Sequence, residues 1–235
     1  MIVQTSRFEP IGAVIFDMDG LLLDSETLSM EASMSAGAAL GYDMPRAFCH
    51  SMIGSPVDRC REMIAERYGA DFPMERYVAL QHEHLTVLAD SGRLVLKTGV
   101  AELLDLLDER GLKRAIATSS GRARTLHHLG RVGIAERFGC IVTRDDVSRG
   151  KPDPEPFLTA AARLGVRPEA CLALEDSHNG VRAAHAAGMR VIMVPDLLDA
   201  TPDMQDKAHR IVDSLHDVIR FLDEADPETG RTDGG

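Results

Sequence analysis

The feature that most constrains the fold of this chain is a change of rhythm along it. From about residue 97 short apolar runs alternate with amphipathic stretches, whereas residues 27 to 96 read as helix throughout. The alternating part predicts helices over Val100 to Arg110, Arg122 to Val132, Glu155 to Leu164, His178 to Ala187 and Ser214 to Leu222. Between them it predicts strands over Arg114 to Ala117, Gly139 to Val142, Cys171 to Leu174 and Arg190 to Val194, and the apolar run Ala13 to Phe16 supplies a first strand. Strands joined through helices pair in parallel, so the expectation is an α/β fold: a mostly parallel sheet covered by helices on both faces. Leu28, Met30, Met34, Ile53, Met63, Ile64, Val78, Leu80, Leu85 and Leu88 recur at mixed three- and four-residue spacings instead. They predict a small all-helical unit inserted after the first strand. The reading is therefore a discontinuous core, residues 1–26 and 97–235, with a helical cap over 27–96 jointed at Asp24 to Thr27 and Arg93 to Gly99.

Charge and composition narrow the function classes. A net charge of −11 with no basic stripe argues against nucleic acid as a partner. Part of that charge falls after Leu222, where Asp223, Glu224, Asp226, Glu228 and Asp233 outnumber Arg231, and residues 224–235 are expected to be a disordered tail. Residues 1 to 9 are likewise expected to lie outside the functional unit. Cysteines at 49, 60, 140 and 171 form no C-x-x-C pair, which points to a reducing, cytoplasmic compartment and away from zinc. The first residues hold no apolar leader, and no run reaches the ~20 apolar residues of a membrane span. Oligomeric state is not legible.

In an open parallel sheet ligands bind beyond the carboxyl ends of the strands. Polar residues gather at those ends here. Asp17 and Asp19 follow the first strand, Thr118, Ser119 and Ser120 the next, and Glu175 and Asp176 a third, while Lys151 lies in the loop Arg149-Gly150-Lys151-Pro152-Asp153-Pro154. Asp17 and Asp19 face the same side of an extended chain, so the pair calls for a cation or a proton, and Gly20 frees the backbone to leave the strand. These residue types fit phosphoryl transfer. Asp17 is suited to attack phosphorus and form an aspartyl-phosphate. Asp17, the main-chain carbonyl of Asp19 and Asp176 offer the hard oxygens that Mg²⁺ requires. Lys151 would offset phosphate charge, Thr118 would donate to a phosphoryl oxygen beside the following helix start, and Asp19 would serve as general acid and then base.

On these residues the chain resembles the haloacid dehalogenase superfamily of phosphohydrolases, in the branch with a small helical cap after the first strand. The segments that carry the resemblance are Asp17-Met18-Asp19-Gly20-Leu21-Leu22-Leu23-Asp24-Ser25-Glu26, Ala117-Thr118-Ser119-Ser120, Gly150-Lys151-Pro152-Asp153-Pro154 and Leu174-Glu175-Asp176-Ser177-His178-Asn179-Gly180. The resemblance implies a Rossmann-like core, a Mg²⁺-dependent aspartyl-phosphate and a metal centre of Asp17, Asp19 and Asp176. It places Glu175 there as the partner of a metal-bound water or of Lys151.

Within that superfamily, metal-free dehalogenases lack the second aspartate that stands here as Asp19. Phosphonatases use a cap lysine, and the nearest lysine, Lys97, sits at a joint. The β-phosphoglucomutase pattern places a cap histidine where this chain has Ser29, and an arginine three residues after the cap glycine where it has Val57. The expectation is a phosphatase acting on a small soluble phosphomonoester, a sugar phosphate or related metabolite. A phosphosugar mutase and a catalytically idle binding protein stand as alternatives. Ser119, Ser120, Arg59, Ser55 and Ser29 are candidates for substrate contact, with His50 and Arg76 also near the expected cleft. His82 and His84, two apart on a helix, diverge and do not form a metal pair. Asp24, Asp145, Asp146 and Asp153 stand open between site-edge and turn or cap roles.

Overall fold

A computed structural model describes residues 9–55 and 57–225 of the chain. Six parallel strands, β1 (Ala13–Phe16), β2 (Lys113–Ala117), β3 (Cys140–Val142), β4 (Cys171–Glu175), β5 (Arg190–Met193) and β6 (Arg210–Ile211), lie in the order β3-β2-β1-β4-β5-β6. This is a Rossmann-like sheet. Its order reverses between β1 and β4, and the crevice of such a sheet opens at that switch point.

The central strand β1 is buried along its whole length. Its side chains alternate between faces as a pleated strand requires. Val14 and Phe16 enter one apolar layer, beneath α5 (Val100–Glu109) and α10 (Leu215–Ala225). Ala13 and Ile15 enter the other, beneath α7 (Glu155–Leu164) and α8 (His178–Ala186). In α5 the buried residues Val100, Leu103, Leu104 and Leu107 fall at i, i+3, i+4 and i+7, a single stripe facing the sheet. The remaining core helix α6 (Arg122–Arg131) follows β2, and α9 (Pro202–Lys207) precedes β6.

Between β1 and α5 run α1 (Glu26–Ala39), α2 (Arg46–Ser51), α3 (Val57–Tyr68) and α4 (Met74–Leu88), closed by a wide helical turn over Ala89–Arg93. Met30, Ala36, Met44, Cys49, Ile64, Phe72 and Tyr77 form a cluster of their own there, with edge-on contacts among Tyr42, Phe72 and Tyr77. Leu28 and Ala32 of α1 and Leu85 of α4 join the main core layer, so the insert shares part of its packing with the sheet domain. The two expected joints lie side by side: Asp24 N–H donates to the Val95 carbonyl and Lys97 N–H to that of Leu22.

One expectation needs correction, and two elements were not foreseen. Glu224 does not begin a tail: α10 runs to Ala225, and Glu224 pairs with Arg210 at 3.3 Å. The rest of that expected tail, residues 226–235, lies outside the described residues, as do 1–8. The helix α9 and strand β6 escaped the pattern reading because β6 is two residues long with both side chains exposed, and so has no apolar period. No described helix is long and apolar enough to cross a membrane.

Candidate active site

β1 and β4 deliver four carboxyls to the switch point, and two loops bring the groups that answer them. Asp17 N–H donates to the Leu174 carbonyl, so the ladder between β1 and β4 continues into the site itself. The Lys151 ammonium lies 2.5 Å from Asp17 Oδ1 and 2.5 Å from Glu175 Oε1, and 5.1 Å above the ring of Phe157. All of these side chains are buried. Glu175 Oε2 accepts from the backbone N–H groups of Asp176 and Ser177 and from the Ser177 hydroxyl. Ser177 Oγ in turn caps α8 by accepting from Gly180 N–H. Ser177 thus orients Glu175. Gly180 is required for close approach, because a Cβ there would sit 1.9 Å from the Glu175 carboxylate. Gly20 turns the chain out of β1 with φ +85°.

Charge in this cluster is unbalanced. Burial first, then Glu175 and Asp19, push the Asp17 carboxyl up to about 8 against the opposing pull of Lys151. Burial, Asp17 and Glu175 push Asp176 well up in the same direction. Burial disfavours the Lys151 ammonium, but Asp17 and Glu175 outweigh it and hold its pKa above the usual lysine range. Asp17, Glu175 and Asp176 each offer an oxygen within 4.8 Å of the others. Asp176 Oδ1 is buried with no hydrogen-bond partner among the described residues. Glu175 is committed to Lys151 and Ser177, so a hard divalent cation fits best between Asp17 and the bare oxygen of Asp176.

Asp19, two residues beyond Asp17, lives on different terms. Ser25 Oγ donates to its Oδ1 at 2.6 Å, Ser120 Oγ to its Oδ2 at 2.6 Å, and Arg124 Nη2 to its Oδ1 at 3.0 Å. Burial alone would lift this carboxyl, but Arg124, with the hydroxyls of Ser120 and Ser25, outweighs it and holds Asp19 below the usual carboxylate range. Thr118 is buried, with its N–H on the Val142 carbonyl and its Oγ accepting from Ser120 N–H at 3.1 Å. The hydroxyl proton of Thr118 is thereby free to point into the crevice.

The structure brings together Asp17, Asp19, Thr118, Lys151, Glu175 and Asp176. Ser120 belongs with them, but its hydroxyl is spent on Asp19 rather than turned outward as the sequence suggested, and Ser119 is exposed. Arg59 does not join them: it lies exposed on α3, donating to Glu62 and Glu66. Ser29 faces the α1–α4 seam at a long 3.4 Å from Gln81 Nε2, and Ser55 is half-buried in the turn before α3. Arg76 is exposed on α4. Asp145, Asp146 and Asp153 take turn and capping roles, accepting from the backbone N–H groups of Arg122, Thr143 and Glu155.

Sequence reasoning missed Ser25, Glu26 and Arg124. Ser25 and Glu26 stood in the first signature segment and at a joint but were given no role in the site, yet burial, reinforced by Asp19, pushes the Glu26 carboxyl up to about 7. Arg124 had a readable signal: it stands beside Thr125 and four residues before His128, and both of these are buried on the inward side of α6. A cavity of about 390 Å³ lies at the joints, lined by Gly20, Asp24, Lys97 and Ser214 among others, but by none of the six residues above.

Comparison with known proteins agrees with this fold. The profile described as haloacid dehalogenase-like hydrolase matches residues 14–194. The phosphorylated carbohydrates phosphatase of Thermotoga maritima is 34% identical over 180 residues, covering 77% of this chain and 83% of its own. Hexitol phosphatase B of Escherichia coli (strain K12) is 36% identical over 193 residues, covering 78% and 83%. The crystal structure of CbbY from Rhodobacter sphaeroides in complex with phosphate superposes with a TM-score of 0.77 at 28% identity, over 88% of this chain and 96% of that one. With its motifs on the strand ends and the profile running from β1 past β5, the chain belongs to the haloacid dehalogenase-like hydrolase family.

Proposed function

We propose that the protein is a Mg²⁺-dependent phosphatase that hydrolyses a small phosphomonoester of the sugar-phosphate class through an aspartyl-phosphate on Asp17. The observation that carries this reading is the contrast between two carboxylates two residues apart. Asp17 is held by Lys151 beside the bare oxygen of Asp176, while Asp19 is held separately by Ser25, Ser120 and Arg124. A nucleophile needs charge compensation at the phosphorus, and an acid/base group needs a fixed position next to it.

Asp17, which must be deprotonated to act, attacks phosphorus and the bond to the ester oxygen breaks; the departing alkoxide takes a proton from Asp19, which must first acquire one because Arg124, Ser120 and Ser25 favour its ionised form in the free site. Water then attacks the aspartyl-phosphate, Asp19 receives its proton, and inorganic phosphate leaves with Asp17 regenerated. Mg²⁺ held by Asp17, the Asp19 carbonyl and Asp176 would neutralise phosphoryl charge during both displacements. Lys151 shares that task, Thr118 donates to a phosphoryl oxygen, and Glu175 keeps Lys151 in place. Residues 27–96 serve as a cap over the crevice, and the relatives named for phosphorylated carbohydrates and hexitols support a polyol leaving group. Four unbridged cysteines favour a cytoplasmic setting.

The test is inorganic phosphate release, with and without Mg²⁺, across hexose, pentose and hexitol phosphates, phosphoglycolate, nucleoside monophosphates and β-glucose 1-phosphate, with coupled detection of glucose 6-phosphate. Release from a sugar or polyol phosphate that depends on Mg²⁺ is expected. Glucose 6-phosphate formed without net phosphate release would replace this reading with a mutase.

A further inference from the structure

Four consecutive residues after β5 each engage a different part of the molecule. Asp196 pairs with Lys97 at the second joint of the helical insert. The Leu197 carbonyl lies 3.2 Å from His50 Nε2, and the Leu197 side chain packs against the cluster inside the insert. Leu198 Cδ1 rests on Gly54 so closely that a Cβ on that glycine would come within 2.9 Å of it. The Asp199 carbonyl lies 2.8 Å from His178 Nε2, in the first turn of α8.

The next residue of α8 completes the contact. Asn179 Nδ2 donates to the Gly54 carbonyl at 2.7 Å, across 125 residues of sequence. Its Oδ1 accepts from Arg182 Nη1 at 3.2 Å, and Arg182 Nε is bonded to Asp203. The guanidinium has no acceptor, so it fixes the amide with its oxygen toward Arg182 and its NH₂ toward Gly54. Asn179 stands three residues beyond Asp176, and Gly54 immediately precedes Ser55. A single side chain on the segment that carries the acidic centre therefore grips the backbone of the insert. The catalytic set described above makes no use of this grip.

We infer that Asn179 is a positioning residue which, with Leu198, seats the turn Ile53 to Ser55 against the sheet domain and so holds the insert closed over a sugar-sized leaving group. The statement about the leaving group rests on the proposed phosphatase reading; the seat itself does not. A turn held at both its carbonyl and its apolar face stays closed more of the time than one held by packing alone, and release of either contact shifts it toward open.

Three variants of the full chain test the seat. Asn179→Asp keeps an acceptor for Arg182 and removes the donor toward Gly54, Asn179→Ala removes both, and Leu198→Ala loosens the apolar contact without adding charge. Hydrogen exchange reads the amides of Ile53 and Ser55, which donate to the carbonyls of His50 and Met52. Exchange there should quicken about fivefold in all three, the scale of one lost hydrogen bond, with exchange in β1 and β4 unchanged. For the same variants kcat/KM on a hexose phosphate should fall about fivefold while that on acetyl phosphate stays within about twofold. Unchanged exchange in Asn179→Asp would overturn the seat and leave Asn179 as a brace for Arg182 alone. Equal losses on both phosphates would overturn the link between the seat and the leaving group. If the unmodified protein releases phosphate from neither compound, the phosphatase reading fails while the exchange result still decides the seat.

Discussion

The sheet-end cluster and the helical insert hold their charges under opposite conditions. In the cluster, Lys151 reaches Asp17 across 134 residues of sequence and Glu175 across 24, and all three side chains are shielded from water. In the insert, Arg59 pairs with Glu62 and Glu66, Arg61 with Glu75, and Arg93 with Glu31, each at or near the surface. Buried charges that lose a partner are strongly penalised, whereas exposed pairs are screened and contribute little. The first arrangement therefore persists only because the fold enforces it, and the second is replaceable. On the proposed reading, chemistry belongs to the enforced region and selection among leaving groups to the replaceable one.

Replacing Asp17 with Asn is the sharpest way to break that division. Phosphate release should fall on the order of 10⁴-fold or more, since the nucleophile is lost. The melting temperature should not fall, because the amide removes a buried carboxyl and leaves Lys151 its bond to Glu175. Substantial turnover would show that bond-making does not reside in the enforced cluster. Asp19→Asn should cost about 10²–10³-fold, the range for a lost general acid and base, with Mg²⁺ affinity retained because only the main-chain carbonyl of residue 19 is assigned to the metal. An unchanged rate would leave Asp19 with no more than a structural bond to Arg124.

The two regions also differ in how much of them the sequence disclosed. Apart from α9 and β6, and from α10, which ends three residues later than expected, the core strands and helices were legible to within a residue, because central parallel strands are unbroken apolar runs and their helices carry clean stripes; Glu155–Leu164 coincides with expectation. The motif residues were legible because each sits at a strand end, a position that topology assigns to the crevice. Arg124 was not, because its role depends on where the first turn of α6 points, and periodicity marks the apolar side of a helix without saying which polar flank meets a carboxylate. Arg59 illustrates the reverse case. An arginine near a glycine in a helical insert looks like an anion ligand, yet α3 presents it beside two glutamates. No local pattern records the orientation of α3 relative to the sheet, which is settled by contacts such as Asn179 with Gly54 and Leu198 with that same glycine.

The enforced cluster should also respond to pH, and the sign follows from the direction of its shifts. A carboxyl whose pKa is higher in the folded than in the unfolded chain binds its proton more tightly when folded. The stability that Asp17 and Asp176 contribute to the metal-free protein is thus fully present below the unfolded value near 3.8 and is lost as pH rises, for Asp17 up to about 8. A divalent cation needs the deprotonated forms. The rise in melting temperature on adding saturating Mg²⁺ should therefore be larger at about pH 8 than at about pH 5.5, by roughly 2–4 °C for each kcal/mol of linkage in a chain of this size. Equal rises at both pH values would mean that the carboxyls holding the metal are not the ones whose protons folding retains.

The smallest expected effect probes the insert. Arg59→Ala should change kcat/KM by less than about twofold and the melting temperature by no more than about 1 °C, as befits an exposed side chain paired only with exposed glutamates. Because Arg59 is two residues into the helix that follows the Gly54 turn, it also reports whether that helix moves during turnover. A loss greater than about tenfold in kcat/KM, with the melting temperature unchanged, would require the guanidinium to leave Glu62 and Glu66 and meet the substrate. That outcome would place part of the binding energy in a rearranged insert, and the boundary between enforced and replaceable charge would then run through α3 rather than along the sheet end.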